Sequence, residues 1–387
     1  MKFDFDQVIN RRGTDCVKWD VADRVFKGTD LLPMWIADMD FPTAPGIQAE
    51  ISKRVERGVF GYGMLPAAYY DAVISWMRRR HDCEVQKEWI SYTAGIVTAL
   101  NYAIQAVSEP GDEIMVHTPV YHPFYDVVEG QGRVLVKSPL KEENLYYTID
   151  IEDMERRVTP KTKALLFCSP HNPVGRVWKK EELQQVADFC KRHNMVVIAD
   201  EIHHDLVYQK HTMFLNADEE IAQQAIVCTA PSKTFNVAGV QVSNTIIPNE
   251  ELRKKFKDLL IKAHAYSAHA FVAPTLIGAY DHSEDWLDEL LVYLEGNMDL
   301  FCGTIARELP MLKVRKPEGT YLAWVDCSAL GLTPEELKQF MVEKCGLALS
   351  DGKGFGEAGE QFMRFNLACP RALVEECLCR LKKGCGC

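Results

Sequence analysis

The sequence predicts an α/β fold: a large domain with a seven-stranded, mostly parallel sheet flanked by helices, plus a smaller α+β domain formed by both chain ends. Three observations carry that expectation. Seven short apolar segments read as buried strands. Helical apolar spacing separates several of them, an alternation that implies a parallel sheet. After about Tyr280 the pattern changes to a long amphipathic helix followed by mixed short elements.

The seven strand segments are Trp89–Thr93, Glu113–His117, Val134–Lys137, Ala164–Cys168, Met195–Ala199, Ala225–Cys228 and Ser243–Ile247. Lys180–Arg192 carries Leu183, Val186, Ala187 and Cys190 at helical spacing. Thr93-Ala94-Gly95-Ile96 follows the first strand and opens a helix over Val97–Val107. In the C-terminal part, Glu284–Arg307 reads as a helix, Leu312–Val314 as a strand and Glu318-Gly319 as a turn. Tyr321–Val325 reads as a strand, Pro334–Lys344 as a helix and Phe362–Asn366 as a strand. The expected division is residues 45–283 for the large domain, with 1–44 and 284–387 forming the small one. No repeat, low-complexity stretch or heptad pattern interrupts this order.

Composition narrows the function classes. At 387 residues the chain has room for two cores, and 47% hydrophobic with 26% charged residues is ordinary for a globular protein. A net charge of −11 argues against nucleic-acid binding, which calls for a basic face. No apolar run approaches the roughly 18 residues of a membrane span. Acids near Met1 stand where a signal peptide would be basic and then apolar, so a cytoplasmic location is expected. The thirteen cysteines are odd in number and mostly sit in apolar runs, so thiols are expected. Cys377, Cys379, Cys385 and Cys387 crowd the C-terminus, where a loose tail is expected in preference to a metal site.

Ligands of parallel sheets bind beyond the carboxyl ends of the strands. Three chemically useful side chains lie there: Asn172 in Ser169–Gly175, Asp200 after Met195–Ala199, and Lys233 in Ala230–Asn236. Singly, each has a plain explanation. Lys233 suits a surface loop, Asp200 a helix N-cap, and Asn172 a turn before Pro173. Together they are what pyridoxal phosphate chemistry requires. A desolvated lysine forms an imine and then serves as base. A carboxylate keeps the pyridine nitrogen protonated, so that the ring accepts electrons. An amide bonds the ring hydroxyl. Tyr121 follows a strand at the same edge and suits either the core or stacking on a ring. The small residues Ala94 and Gly95 let backbone N–H groups approach a phosphate. Arg364 lies inside an apolar strand, where a guanidinium needs a partner: an internal acid or a substrate carboxylate. His203 and His204 are adjacent and do not converge, so no metal site is expected.

With these residues in place, the chain resembles the fold-type I pyridoxal phosphate enzymes of the aspartate aminotransferase superfamily. Ser169–Gly175, Asp200-Glu201 and Ser232-Lys233, in that order, carry the resemblance along nearly the whole length. It is most similar to the cystathionine β-lyase and C–S lyase branch, of the cystalysin and maltose-regulon-modulator type. Trp35–Pro42 and Asp200–Asp205 look like that branch's motifs. Gln241 stands where aminotransferases usually carry a phosphate-binding arginine, and His203 where they usually carry tyrosine.

The resemblance implies specific roles. Lys233 is the catalytic lysine and Asp200 the partner of the pyridine nitrogen. Asn172 bonds the ring oxygen and Tyr121 stacks on the ring. Ala94, Gly95, Ile96 and Ser232 bind phosphate, and His203 belongs to the cofactor pocket. Tyr62 reaches the phosphate of the neighbouring subunit, which implies a homodimer. Arg364 holds the substrate carboxylate beside the Ala37 backbone. The implied reaction is α,β-elimination from cystathionine or a related cysteine S-conjugate, giving a thiol, pyruvate and ammonia. An aminotransferase uses the same residues and is the alternative. A second alternative adds a surface that binds a transcription activator.

Overall fold

The computed structural model describes residues 2–387. After two short helical segments, Val17–Asp20 and Ala22–Phe26, the longer helices α1 (Pro45–Glu56) and α2 (Ala67–His81) precede the main sheet. The sheet strands are β1 (Ile90–Thr93), β2 (Glu113–Thr118), β3 (Val134–Pro139), β4 (Thr162–Cys168), β5 (Val196–Asp200), β6 (Ala225–Thr229) and β7 (Ser243–Ile246). Their order is β1-β7-β6-β5-β4-β2-β3, and β7 alone runs against its neighbours. The seven expected strands are therefore the seven observed, with ends shifted by one or two residues. Trp89 closes a 3-10 turn instead of opening β1.

Alternation along the strands gives each face its own core, as a period of two requires. Leu165, Phe167, Val197, Ala199 and Val227 join one cluster with Trp76 of α2. Ala164, Leu166, Ile198, Ile226 and Cys228 join the other, covered by helix α3 (Ile96–Val107) through Ala99, Leu100, Ala103 and Ile104. Burying a Leu or Ile side chain stabilises the fold by about 1.5–3 kcal/mol, so this face holds α3 firmly. β3 corrects the expectation of uniformly buried strands. It pairs with β2 alone, and Val134 is half exposed, because it is the sheet edge.

Helix α4 (Lys180–Arg192) crosses between β4 and β5 over the span its periodicity predicts. The lysine loop follows β6. Helix α5 (Glu250–Lys262) is N-capped by the Asn249 side chain, and α6 (Val272–His282) packs on α1 and α2. The long helix α7 (Glu284–Glu308) leads to a four-stranded antiparallel sheet. Its strands are β8 (Lys313–Val314), β9 (Leu322–Asp326), β10 (Ser350–Asp351) and β11 (Phe362–Asn366), in the order β8-β9-β11-β10. Helix α8 (Pro334–Glu343) starts with a capping box between Thr333 and Glu336. Leu32-Pro33 pairs in parallel with Leu347-Ala348, so the two chain ends share a ladder.

The C-terminus differs from expectation. Arg371–Cys385 is a helix, α9, packed on α7. Val374, Cys377, Leu378 and Leu381 are buried along one stripe, at the spacing of an amphipathic helix. That stripe outweighs the loose-tail expectation, which was drawn from the cysteines alone. All thirteen cysteines are free thiols, eight of them buried.

Candidate active site

A cavity of about 460 Å³ lies at the carboxyl ends of β4, β5 and β6, closed on its far side by β10, β11 and residues 35–37. Lys233 enters it from a single helical turn, Pro231–Thr234, started by Pro231. Its ammonium donates to the Ala37 carbonyl at 2.7 Å. The Tyr321 hydroxyl donates to the same oxygen at 2.9 Å. Burial pushes the amine down to about 8; nearby Arg364 adds to that, while Asp38 and Asp200 oppose it. The flanks of the lysine are fixed as well. Thr234 Oγ1 donates to Asp205 Oδ2 at 2.8 Å. Asn236 accepts from the Met39 N–H and donates to the carbonyls of Met39 and Phe41.

Asp200 is the last residue of β5 and is buried. Its Oδ1 accepts the Ile202 N–H at 3.1 Å. No helix starts there, so the N-cap explanation fails. Burial pushes the carboxyl up to about 7, against the Ile202 hydrogen bond and the charge of Lys233. A cation placed against this carboxylate would restore its ionised form.

Arg364 sits in β11 between Trp324 of β9 and Ser350 of β10. Its Nη2 donates to the Trp35 carbonyl at 2.8 Å and to Ser350 Oγ at 3.1 Å. Nη1 donates to Asn172 Oδ1 at 3.2 Å, and the guanidinium lies over the Phe355 ring. Nε has no partner. No acid lies within ion-pair distance among the described residues, so the internal salt bridge is not formed. Burial lowers the guanidinium to about 10. A buried, unpaired cation facing a cavity is a receptor for an anion. Asn172 is thereby oriented too, because its oxygen is taken by Arg364 and its amide N–H groups are left to the cavity.

Ala94, Gly95 and Ile96 form the turn into α3, and all three line the cavity with Ser232. Gly95 has φ +88°, a conformation that glycine adopts without strain. A Cβ there would meet Gln241 Oε1 at 2.8 Å. The first N–H groups of α3 have no side-chain cap and open toward this space, as an anion site needs. Tyr121 and His203 line the same cavity. His203 packs edge-on to Tyr321, its Nδ1 has no partner, and burial lowers the imidazole well below its usual range.

Of the residues expected at the site, Tyr62 stands apart. It is fully exposed and away from the cavity of this chain. The sequence reading missed Trp35, His122 and Ser350, which also line the cavity. Ser350 gave no signal, because it acts only through its strand register with Arg364.

Residues 32–381 match the aminotransferase class I and II family. The chain is 42% identical over 381 residues to the cystathionine beta-lyase PatB of Bacillus subtilis strain 168, covering 98% of each. Among solved structures it is similar to cystalysin from Treponema denticola, which contains pyridoxal 5'-phosphate. There the TM-score is 0.94 with 36% identity, over 100% of this chain and 99% of the other. It is also similar to the PLP-bound C–S lyase from Staphylococcus hominis, with TM-score 0.91 and 30% identity, over 99% and 98% of the two chains. The chain belongs to the aminotransferase class I and II family.

Proposed function

We propose that this protein is a pyridoxal-phosphate-dependent carbon–sulfur β-lyase, eliminating a thiol from cystathionine or a related cysteine S-conjugate. One observation carries the reading: Lys233, Asp200, Asn172 and an acid-free Arg364 converge on one cavity. The residues fit the cofactor. Lys233 offers a buried amine of lowered basicity. Asp200 offers a carboxylate in need of a cation, and Gly95 a cradle that a side chain would fill. Pyridoxal phosphate, when bound, supplies an aldehyde for amines and a ring that takes up the electrons released at Cα.

The protein's own residues do the rest. Arg364 holds the substrate carboxylate, with Asn172 and Trp35 fixing its plane. Lys233 Nζ takes the Cα proton, and the Ala37 carbonyl sets where that nitrogen stands. Asp200 would hold a proton on the ring nitrogen of the bound cofactor. The N–H groups after Gly95, with Ser232, hold the phosphate. Tyr121 would cover a face of the ring, and His203 lies in the pocket in place of the tyrosine usual in aminotransferases. The overall reaction balances with water: a thioether amino acid gives a thiol, pyruvate and ammonia.

The same reading takes the chain as a cytoplasmic homodimer in which Tyr62 reaches the phosphate of the partner's site. It divides the chain into residues 45–283 and a small domain of 1–44 with 284–387. Incubation with cystathionine and no 2-oxo acid tests the reaction. Pyruvate and free thiol in equal amounts are expected. A protein that holds the cofactor yet turns over only when a 2-oxo acid is added is an aminotransferase, and the proposal then fails.

A further inference from the structure

We infer that His81, His204 and Asp205 bind a first-row divalent cation such as zinc, behind the lysine loop and outside the amino-acid cavity. The three are buried, and one ligand atom from each lies within 4.8 Å of the other two. His81 is the last residue of α2, and Asp205 and His204 follow β5. His81 Nε2 stands 2.7 Å from Asp205 Oδ1, and His204 Nε2 stands 3.4 Å from Asp205 Oδ2.

The protons locate the ion. His204 Nδ1 lies 2.6 Å from the Glu201 carbonyl oxygen. A carbonyl only accepts, so Nδ1 carries the proton and Nε2 presents a lone pair. That lone pair has no hydrogen-bond partner and faces a carboxylate oxygen, a second acceptor. Two acceptors cannot satisfy one another in a dry interior. A shared cation, or a second proton on His204, must sit between them. His81 Nε2 stands on the same carboxylate, bonded to its other oxygen Oδ1, so a cation can draw on both imidazoles and the acid.

The surroundings are those of a ligand set. A metal-binding histidine typically donates its other N–H to a carbonyl, as His204 does. Asp205 Oδ1 is bonded to Trp76 Nε1 at 3.0 Å and to His81 Nε2 at 2.7 Å, while Oδ2 accepts from Thr234 Oγ1 at 2.8 Å and keeps a lone pair for the ion. Zinc–nitrogen distances of about 2.0–2.1 Å give a tetrahedral edge of roughly 3.4 Å, which the His204–Asp205 separation matches, while His81 Nε2, hydrogen-bonded to Oδ1 at 2.7 Å, would move outward to reach it. The fourth position opens on a cavity of about 260 Å³, room for a bound water. His211 borders it, and neither of its ring nitrogens has a hydrogen-bond partner. Arg80 and Lys210 border it too, but they are paired with Asp288 and Asp82. Because Asp205 also holds Thr234, next to Lys233, the ion would stiffen the base of the lysine loop. The proposal departs from the sequence-based expectation of no metal. Adjacent His203 and His204 do diverge, but His204 finds its partner on α2.

The test uses the full-length protein stripped with a chelator, then titrated with zinc by calorimetry and with cobalt(II) by visible absorption. One ion per chain is expected, with cobalt bands of a tetrahedral nitrogen–oxygen set and no thiolate charge-transfer band. His81→Gln and His204→Gln should each lose that ion. A Cys379→Ser/Cys385→Ser/Cys387→Ser variant should keep it, and Thr234→Val should weaken it by about 10- to 100-fold. No uptake by wild type, a thiolate spectrum, or binding by His204→Gln equal to wild type each overturns the proposal. Should the histidine variants fail to fold, the wild-type stoichiometry and cobalt spectrum decide alone.

Discussion

The ammonium of Lys233 and the carbonyl of Ala37 meet at 2.7 Å, although 196 positions separate them in the chain. The N-terminal segment thus reaches across the cavity mouth and fixes the Lys233 nitrogen. Its acidity has a thermodynamic signature. The folded amine titrates near 8, below the ordinary 10.5. Between these values the unfolded chain binds more protons, so stability of the cofactor-free protein rises with pH across the window. The gain is complete above 10.5 and is lost as pH falls through 8. It amounts to about 3 kcal/mol. Denaturant midpoints of wild type against Lys233→Met should therefore diverge from pH 8 upward, with the variant lacking the rise.

Arg364 should decide substrate binding without deciding the fold. It has no acid to lose, but Arg364→Lys leaves the Trp35 carbonyl and Asn172 Oδ1 short of donors, so a modest drop in melting temperature is expected with the fold retained. The loss of a two-pronged carboxylate contact should lower kcat/KM roughly 10- to 100-fold, a charged hydrogen bond being about 1.5–3 kcal/mol. Most of the change is expected in KM. An Arg364→Lys enzyme with wild-type KM would assign the carboxylate to another residue.

Gln241 and Gly95 face each other at the turn into α3. Gly95→Ala would force a Cβ against Gln241 Oε1 in a strained backbone conformation, and should speed cofactor loss. Gln241→Arg adds a fixed charge where the phosphate dianion would lie, and should slow cofactor loss. Dialysis with absorbance of the retained cofactor measures both. Equal retention in wild type and Gln241→Arg would remove position 241 from the phosphate site.

Tyr62 is exposed in the single chain and remote from the cavity, as a residue serving a partner's site would be. Mixing inactive Lys233→Ala with impaired Tyr62→Phe, after subunit exchange, should restore about a quarter of wild-type activity. Half the dimers would be mixed, each with one intact site of two. No recovery beyond the sum of the separate variants would count against a shared site.

The core packing permits a stability test away from the chemistry. Leu100 of α3 is fully buried against the sheet. Leu100→Ala should destabilise by about 2–5 kcal/mol, and should also loosen the phosphate turn that α3 carries. Chemical denaturation and cofactor retention would report the two effects.

The sequence by itself determined the strands, the helical crossovers and the reaction class. Apolar runs at strand length and helical apolar spacing record local geometry directly. Asp200 ends one strand of the sheet, and Asn172 and Lys233 follow two others, so their shared edge is legible without coordinates. The helix at the C-terminus was legible too, in Val374, Cys377, Leu378 and Leu381, but the cysteines drew the reading toward a tail. Only the tertiary structure decided what depends on distant partners. It placed Ala37 on Lys233, Trp35 and Ser350 on Arg364, and His81 beside His204 and Asp205. Strand register and helix packing set these meetings, and neither leaves a local pattern in the chain. The sequence names the chemical groups, and the fold selects which of them face one another at hydrogen-bond distance.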